Sequence, residues 1–211
     1  MRTMVILESA ENRSVLMEKN RMESLTDGIF AFAMTLLVLN MIIPSDAVIT
    51  QTSRAALFSL LPAFYHYIIA FFILAAFWMG HHAQFSMVHH IDKNFLFLNA
   101  IGLFFVTLVP FSTSFIGDYP SDNLATCLFE FNLLILGLIL ALQWYYSSHN
   151  HRLISLELSQ YDIRLRMNRG LVIPAVSLAA MLLTVIGFSS STMLYMASPL
   201  VTYFVERYTQ K

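Results

Sequence analysis

A carboxylate, several histidines and an asparagine stand in or beside long apolar runs of this chain, where a polar group needs a partner or a purpose. Asp27 lies one turn into the first such run, within Arg21-Met-Glu-Ser-Leu-Thr-Asp27-Gly-Ile-Phe. Two uses are open. Ser24, Thr26 or Asp27 could satisfy free N–H groups at a helix start, where a carboxylate also suits the helix dipole. Alternatively, Asp27 forms a buried pair with Arg21 or with a histidine and so fixes the first helix. A second cluster reads Trp78-Met-Gly-His81-His82-Ala-Gln-Phe85, followed by His89-His90-Ile-Asp92. Paired histidines suit metal or haem, but no cysteine is near and the carboxylates do not recur at helical spacing, so no metal site and no cofactor are expected. Hydrogen bonding to Asp27 and Arg21 across the same boundary is the favoured use, and pH sensitivity stays open because histidine titrates near neutrality. Asn99 and Pro110-Phe-Ser112-Thr113 fall in a third run: Asn99 is expected to bond to a neighbouring helix, and Pro110 to kink its own. Glu130 is read as reaching the headgroups near the outer end of the fourth run, with attraction of cations as the lesser use.

Hydrophobic elements must position these groups. Of 211 residues, 57% are hydrophobic and 12% charged, against about 25% charged in a soluble domain. The mean hydropathy is +0.65, so bilayer is the expected solvent. Six runs are long or apolar enough to read as spans: Leu25 to Ile43 (closed by Pro44), Leu57 to Met79, Phe95 to Phe115, Leu124 to Tyr146, Leu171 to Phe188 and Met193 to Val205. Ser189, Ser190, Ser191 and Thr192 separate the last two as a tight turn. Residues 1–22 read as a cytosolic lead-in without a secretory signal, and 147–169 as a polar, partly helical cytosolic loop. With both termini cytosolic, Arg54 is the one basic residue of 12 that falls outside, where it accompanies Asp46, Asp118 and Asp122; a five-helix alternative would put Arg207 and Lys211 outside. The expected fold is therefore an all-α membrane protein, one six-helix domain over 1–211, with no soluble domain, repeat or low-complexity stretch. Cys127 is the single cysteine, which precludes an intrachain disulfide.

On the first helix, Gly28, Phe32, Thr35, Leu36 and Leu39 share one stripe, and Asp27, Ala31, Met34 and Val38 lie on a different side. If first helices meet around an axis, the former stripe faces it, and rings of Phe32, Leu36 and Leu39 form the constriction with Thr35 hydroxyls between. Ordinary helix packing explains the stripe equally well, since Gly28 and Ala31 also permit close approach.

Arg21-x-x-x-Leu25-Thr26-Asp27 resembles the R-x-x-x-F-S-D signature that opens the first helix of the transmembrane protein 175 family of lysosomal potassium channels and their prokaryotic relatives. Trp78-x-x-His81-His82-x-x-Phe85 looks like that family's second-helix ending, and Leu98-Asn99 with Val106 and Pro110-Phe-Ser-Thr113 like its third helix. The likeness covers about the first 120 residues by motif and the rest by topology. It implies six helices per subunit, a homotetramer in the cell membrane, and a central pore lined by first helices that conducts potassium, moderately selective over sodium, without a re-entrant T-V-G-Y-G filter loop. It also implies that Gly28, Phe32, Thr35, Leu36 and Leu39 line the pore, while Arg21, Thr26, Asp27, Trp78, His81, His82 and Asn99 form the network holding the pore helix. Leu25 and Thr26 replace the usual Phe and Ser, and Phe32 stands where relatives commonly place an aliphatic residue. Nothing points to nucleic acid or to enzymatic activity. The competing classes are a proton-linked cation carrier using Asp27 and the histidines, and a histidine-ligated redox protein.

Overall fold

The computed structural model describes residues 2–39, 41, 52–188 and 190–209, with side chains described from residue 19 onward. Ile43, Pro44, Asp46, Ser189 and Lys211, which entered the expected span ends, turn and charge placement, lie outside the described residues.

The described chain is all helical apart from one isolated bridge between Val88 and Ile154. In order come α1 (Arg2–Leu39), α2 (Ser53–Ser59), α3 (Leu61–Phe85), α4 (Lys93–Asp118), α5 (Asn123–Ser148), α6 (Gln160–Gly170), α7 (Val172–Val185) and α8 (Ser198–Thr209), with 3-10 turns at His149–His151 and Ser191–Ala197. Side-chain caps start several of them. Asp92 accepts from the Phe95 N–H to open α4, Asp122 from Leu124 to open α5, and Ser159 from Asp162 to open α6. Pro110 sits inside α4 without ending it.

Five stretches are long and apolar enough to cross a bilayer: Lys19–Leu39, Leu61–Phe85, Lys93–Asp118, Asn123–His151 and Gln160–Val185. They match the first five expected spans, with later or earlier starts. The first begins at Lys19 rather than Leu25, because α1 is helical from Arg2 and carries the lead-in as part of the same helix. The fifth is α6 and α7 in tandem, joined through Leu171; α6, with Asp162, Arg164, Arg166 and Arg169, falls but for Gly170 within the stretch 147–169, expected to be polar and partly helical. The sixth expected span is divided into the 3-10 turn Ser191–Ala197 and α8.

The α5 helix is the centre of the bundle, packing on α4 and α7. Its Phe129, Leu133 and Leu136 meet Leu74 and Phe77 of α3, Val106 and Val109 of α4, and Ala180 of α7 in one apolar core. A second, smaller core gathers Met22, Phe85, Phe95, Trp144 and Leu153 at one end. Gly137 lets α5 approach α7: a Cβ there would stand 2.6 Å from Pro174 Cγ and 3.2 Å from Phe77 Cζ. Large apolar side chains such as Phe72, Phe97, Phe104 and Phe111 are exposed around the outside, as in a protein whose solvent is lipid.

Candidate functional site

The α1 helix buries Met22, Thr26, Phe30, Ala33 and Leu37, spaced by three or four residues along one stripe. Thr26 is the polar member of that stripe. Its hydroxyl oxygen accepts from Asn99 Nδ2 of α4 at 3.0 Å. The Asn99 Oδ1 takes two more contacts, from His81 Nε2 of α3 at 3.0 Å and from Gln143 Nε2 of α5 at 3.2 Å. All four side chains are buried. One carboxamide therefore ties α1, α3, α4 and α5 together. For Oδ1 to accept from the ring, His81 must carry its proton on Nε2.

Beside this knot, Trp78 Nε1–H donates to Asp27 Oδ1 at 2.8 Å. The Trp78 ring stacks on His82, with centroids 5.9 Å apart, and His82 Nδ1 lies 3.4 Å from Glu23 Oε1. Helix capping does not explain Asp27, since α1 is already helical from Arg2 and leaves no free N–H groups at residues 24–27. Ser24 instead donates back to the Asn20 carbonyl. Arg21 is exposed, and the ion pairs among the described residues are His82–Glu23 and Arg169–Glu206. The adjacent histidines diverge: His81 turns inward to Asn99 and His82 outward to Glu23. The structure thus brings together Thr26, His81 and Asn99, and separately Asp27, Trp78 and His82. Gln143 is the member that sequence reasoning missed.

On the other side of α1, Gly28, Phe32, Thr35 and Leu39 are exposed and Leu36 is half-buried. Phe32 keeps 64% of its surface and Leu39 70%, so the stripe faces away from the subunit's own core. Thr35 Oγ1 donates to the Phe32 carbonyl at 2.8 Å. Its proton is used within the helix, which leaves the hydroxyl lone pairs outward.

A second polar knot lies in the other half of the bundle. Glu130 of α5 is fully buried, rather than reaching headgroups. Its Oε2 lies 2.9 Å from Thr184 Oγ1 of α7, and its Oε1 lies 2.6 Å from Ser191 Oγ of the 3-10 turn. Nearby, Tyr195 donates to Ser177 and Asn132 donates to Ser112.

These features define a multi-pass helical membrane protein whose first helix is clamped by polar side chains on one face and left apolar and uncovered on the other. The sequence model described as "Endosomal/lysosomal potassium channel TMEM175" matches residues 21–110. A protein of Streptomyces collinus named as a potassium channel is 30% identical over 140 residues, covering 64% of this chain and 67% of that protein. One from Chamaesiphon minutus, also named as a potassium channel, is 28% identical over 171 residues, covering 77% and 84%. The crystal structure of a lysosomal potassium-selective channel TMEM175 homolog from Chamaesiphon minutus superposes with a TM-score of 0.76 at 24% identity, covering 92% of this chain and 99% of that one. This chain belongs to the TMEM175 family.

Proposed function

We propose that the chain is one subunit of a potassium channel in which copies of α1 surround a central passage. The observation that carries this reading is the two-sidedness of α1 in a chain of this family. Its polar contacts, Thr26 to Asn99 and Asp27 to Trp78, are spent within the subunit. Phe32, Thr35 and Leu39 are left for something outside it. Relatives named as potassium channels support the choice of ion.

In this reading four copies assemble, and Phe32, Leu36 and Leu39 form apolar rings that hold the passage narrow and resist wetting. Thr35 oxygens, with their protons turned to the backbone, offer lone pairs to a partly dehydrated cation between those rings. Preference for potassium over sodium is moderate, since potassium sheds water at lower cost in a passage with few ligands. Gly28 keeps the inner approach wide. The Thr26–Asn99–His81 knot and the Asp27–Trp78–His82 stack, with Arg21 at the rim, hold the pore helix in its rotation.

The whole of 1–211 forms one six-crossing domain. From Ser191, beside Thr184, the chain returns to Thr209, which accepts from Asn168 of α6. Seven 3-10 residues followed by twelve α-helical ones reach, at the usual rises, about 30 Å, the thickness of a hydrocarbon core. An even number of crossings puts both termini on the Lys- and Arg-rich side, which is the cytosolic one. A proton-linked carrier would favour a broken helix at its binding site, and α1 is unbroken through Leu39.

Flux from proteoliposomes tests the reading. Potassium is expected to leave faster than sodium, and discrete single-channel currents are expected in a planar bilayer. Equal exclusion of both ions would overturn it.

A further inference from the structure

We propose that Glu130 is a proton-binding site inside the bundle: it carries a proton and, as a neutral carboxylic acid, closes a ring of three hydrogen bonds that fastens the last segment of the chain to α5 and α7. This rests on none of the pore assignments.

The argument is a count of protons. Three close oxygen contacts form a closed triangle. Glu130 Oε1 to Ser191 Oγ is 2.6 Å, Ser191 Oγ to Thr184 Oγ1 is 2.7 Å, and Thr184 Oγ1 to Glu130 Oε2 is 2.9 Å. Each contact needs one hydrogen between its oxygens. Two hydroxyls supply two. With an ionised carboxylate, one side of the triangle would press two lone-pair-bearing oxygens together at hydrogen-bonding distance with nothing between them. The Thr184 hydroxyl also lies 3.1 Å from the Ala180 carbonyl, a competing acceptor that makes the shortage worse. A proton on the carboxyl closes the ring in one sense: Glu130 O–H to Ser191, Ser191 O–H to Thr184, Thr184 O–H to Glu130 Oε2. Bonds circling in one direction polarise one another and strengthen together.

The surroundings agree. Glu130 has no exposed surface, and neither ion pair among the described residues involves it. An unpaired carboxylate at that depth in an apolar bundle is costly, whereas a carboxylic acid with its hydrogen bonds made is tolerated. The titratable groups around it make their hydrogen bonds elsewhere. Cys127 lies one turn earlier on α5. Tyr195 donates to Ser177, and Tyr65 of α3 pairs with Thr192. His66 of α3 bonds through Nδ1 to the Pro62 carbonyl and meets the Phe129 ring edgewise. None supplies a cation to the carboxyl.

The three ring members sit on three elements, α5, α7 and the 3-10 turn that leads into α8, which also meet through the Tyr195–Ser177 bond and the Phe129–Tyr195 ring pair. The proton is thus part of what closes the outer half of the bundle.

Infrared spectroscopy of the purified full-length protein in lipid, at neutral pH, tests this. The wild type is expected to show the carbonyl stretch of a protonated carboxylic acid, shifted by exchange into deuterium oxide. Glu130→Gln, which keeps the shape and one donor, is expected to lose that band. That loss separates Glu130 from Asp27, the other carboxyl well inside the spans. Ser191→Ala keeps the acid but removes its acceptor, and is expected to move the band without abolishing it. Carboxylate bands alone in the wild type, a band that survives in Glu130→Gln, or one that stays put in Ser191→Ala would each overturn the proposal.

Discussion

The Asn99 carboxamide meets side chains from three other helices, and nothing else in the described bundle does so with one group. Truncating it orphans Thr26, His81 and Gln143 together. Asn99→Ala is therefore expected to cost about 2–4 kcal/mol, from several buried hydrogen bonds lost at once. A thermal melt of the detergent-solubilised protein, followed by size-exclusion fluorescence, reads this as a clear drop in melting temperature. The neighbouring pair behaves differently. Asp27→Asn keeps an oxygen for Trp78 Nε1 and is expected to be mild, whereas Trp78→Phe removes the donor and is expected to cost about 1 kcal/mol. Equal losses in the same melt would show that charge, rather than the hydrogen bond, matters at Asp27. Asp27, His81 and Asn99 were legible in the sequence because polar side chains in or beside apolar runs stand out, whereas the places of Thr26 and Trp78 came from the family resemblance. Gln143 was not, because it sits beside Trp144 and Tyr145 and reads as the wet end of a span. Glu130 stood out too, but counting from the helix end put it near headgroups. Its burial comes from α7 and the 3-10 turn, which one helix's sequence cannot reveal.

Packing between elements turns on how closely α5 approaches α7. A methyl at Gly137 would overlap the Pro174 ring, whereas one at Gly102 would meet Ile139 and Leu140 at ordinary contact distance. Gly137→Ala is expected to destabilise by about 1–3 kcal/mol as the helices are forced apart. Gly102→Ala is expected to be neutral or slightly stabilising, because it lowers the freedom of the unfolded chain. Melting the two variants side by side checks the contrast, and similar values would place the tight approach elsewhere. The first four spans were legible as elements because each is a long apolar run. The end of the chain was harder. The stretch Met193 to Val205 is short for an α-helix that crosses a bilayer. In the structure Ser191–Ala197 is a 3-10 turn ahead of α8, and its larger rise per residue leaves no mark on hydropathy. Within 147–169, expected to be polar and partly helical, the helical part is α6, whose charges hide its continuity with α7.

At the scale of the assembled molecule, the question is what covers the exposed face of α1. Lipid would suit Phe32 and Leu39 as well as a pore would, so apolarity alone cannot choose. Water access can. An impermeant, thiol-directed cation reacts with a cysteine in an aqueous passage and not with one facing hydrocarbon. The native Cys127 is half-buried, so Cys127→Ser provides a clean background. In that background Leu39→Cys, at the end of the exposed stripe, is expected to be modified from one side of a planar bilayer with block of the current. Phe72→Cys, about as exposed on α3, is expected to be inert, as a thiol in hydrocarbon would be. Leu36→Asn then asks whether the apolar ring limits flow: a polar ring holds water, and the conductance is expected to rise several-fold. The two experiments bind each other. Modification at Leu39 with unchanged conductance in Leu36→Asn would mean a wet passage whose narrowest point lies elsewhere on α1. Protection at Leu39 together with reaction at Phe72 would mean that the bundle turns α3 rather than α1 towards the axis, and the proposed rotation of the subunit would have to be reversed.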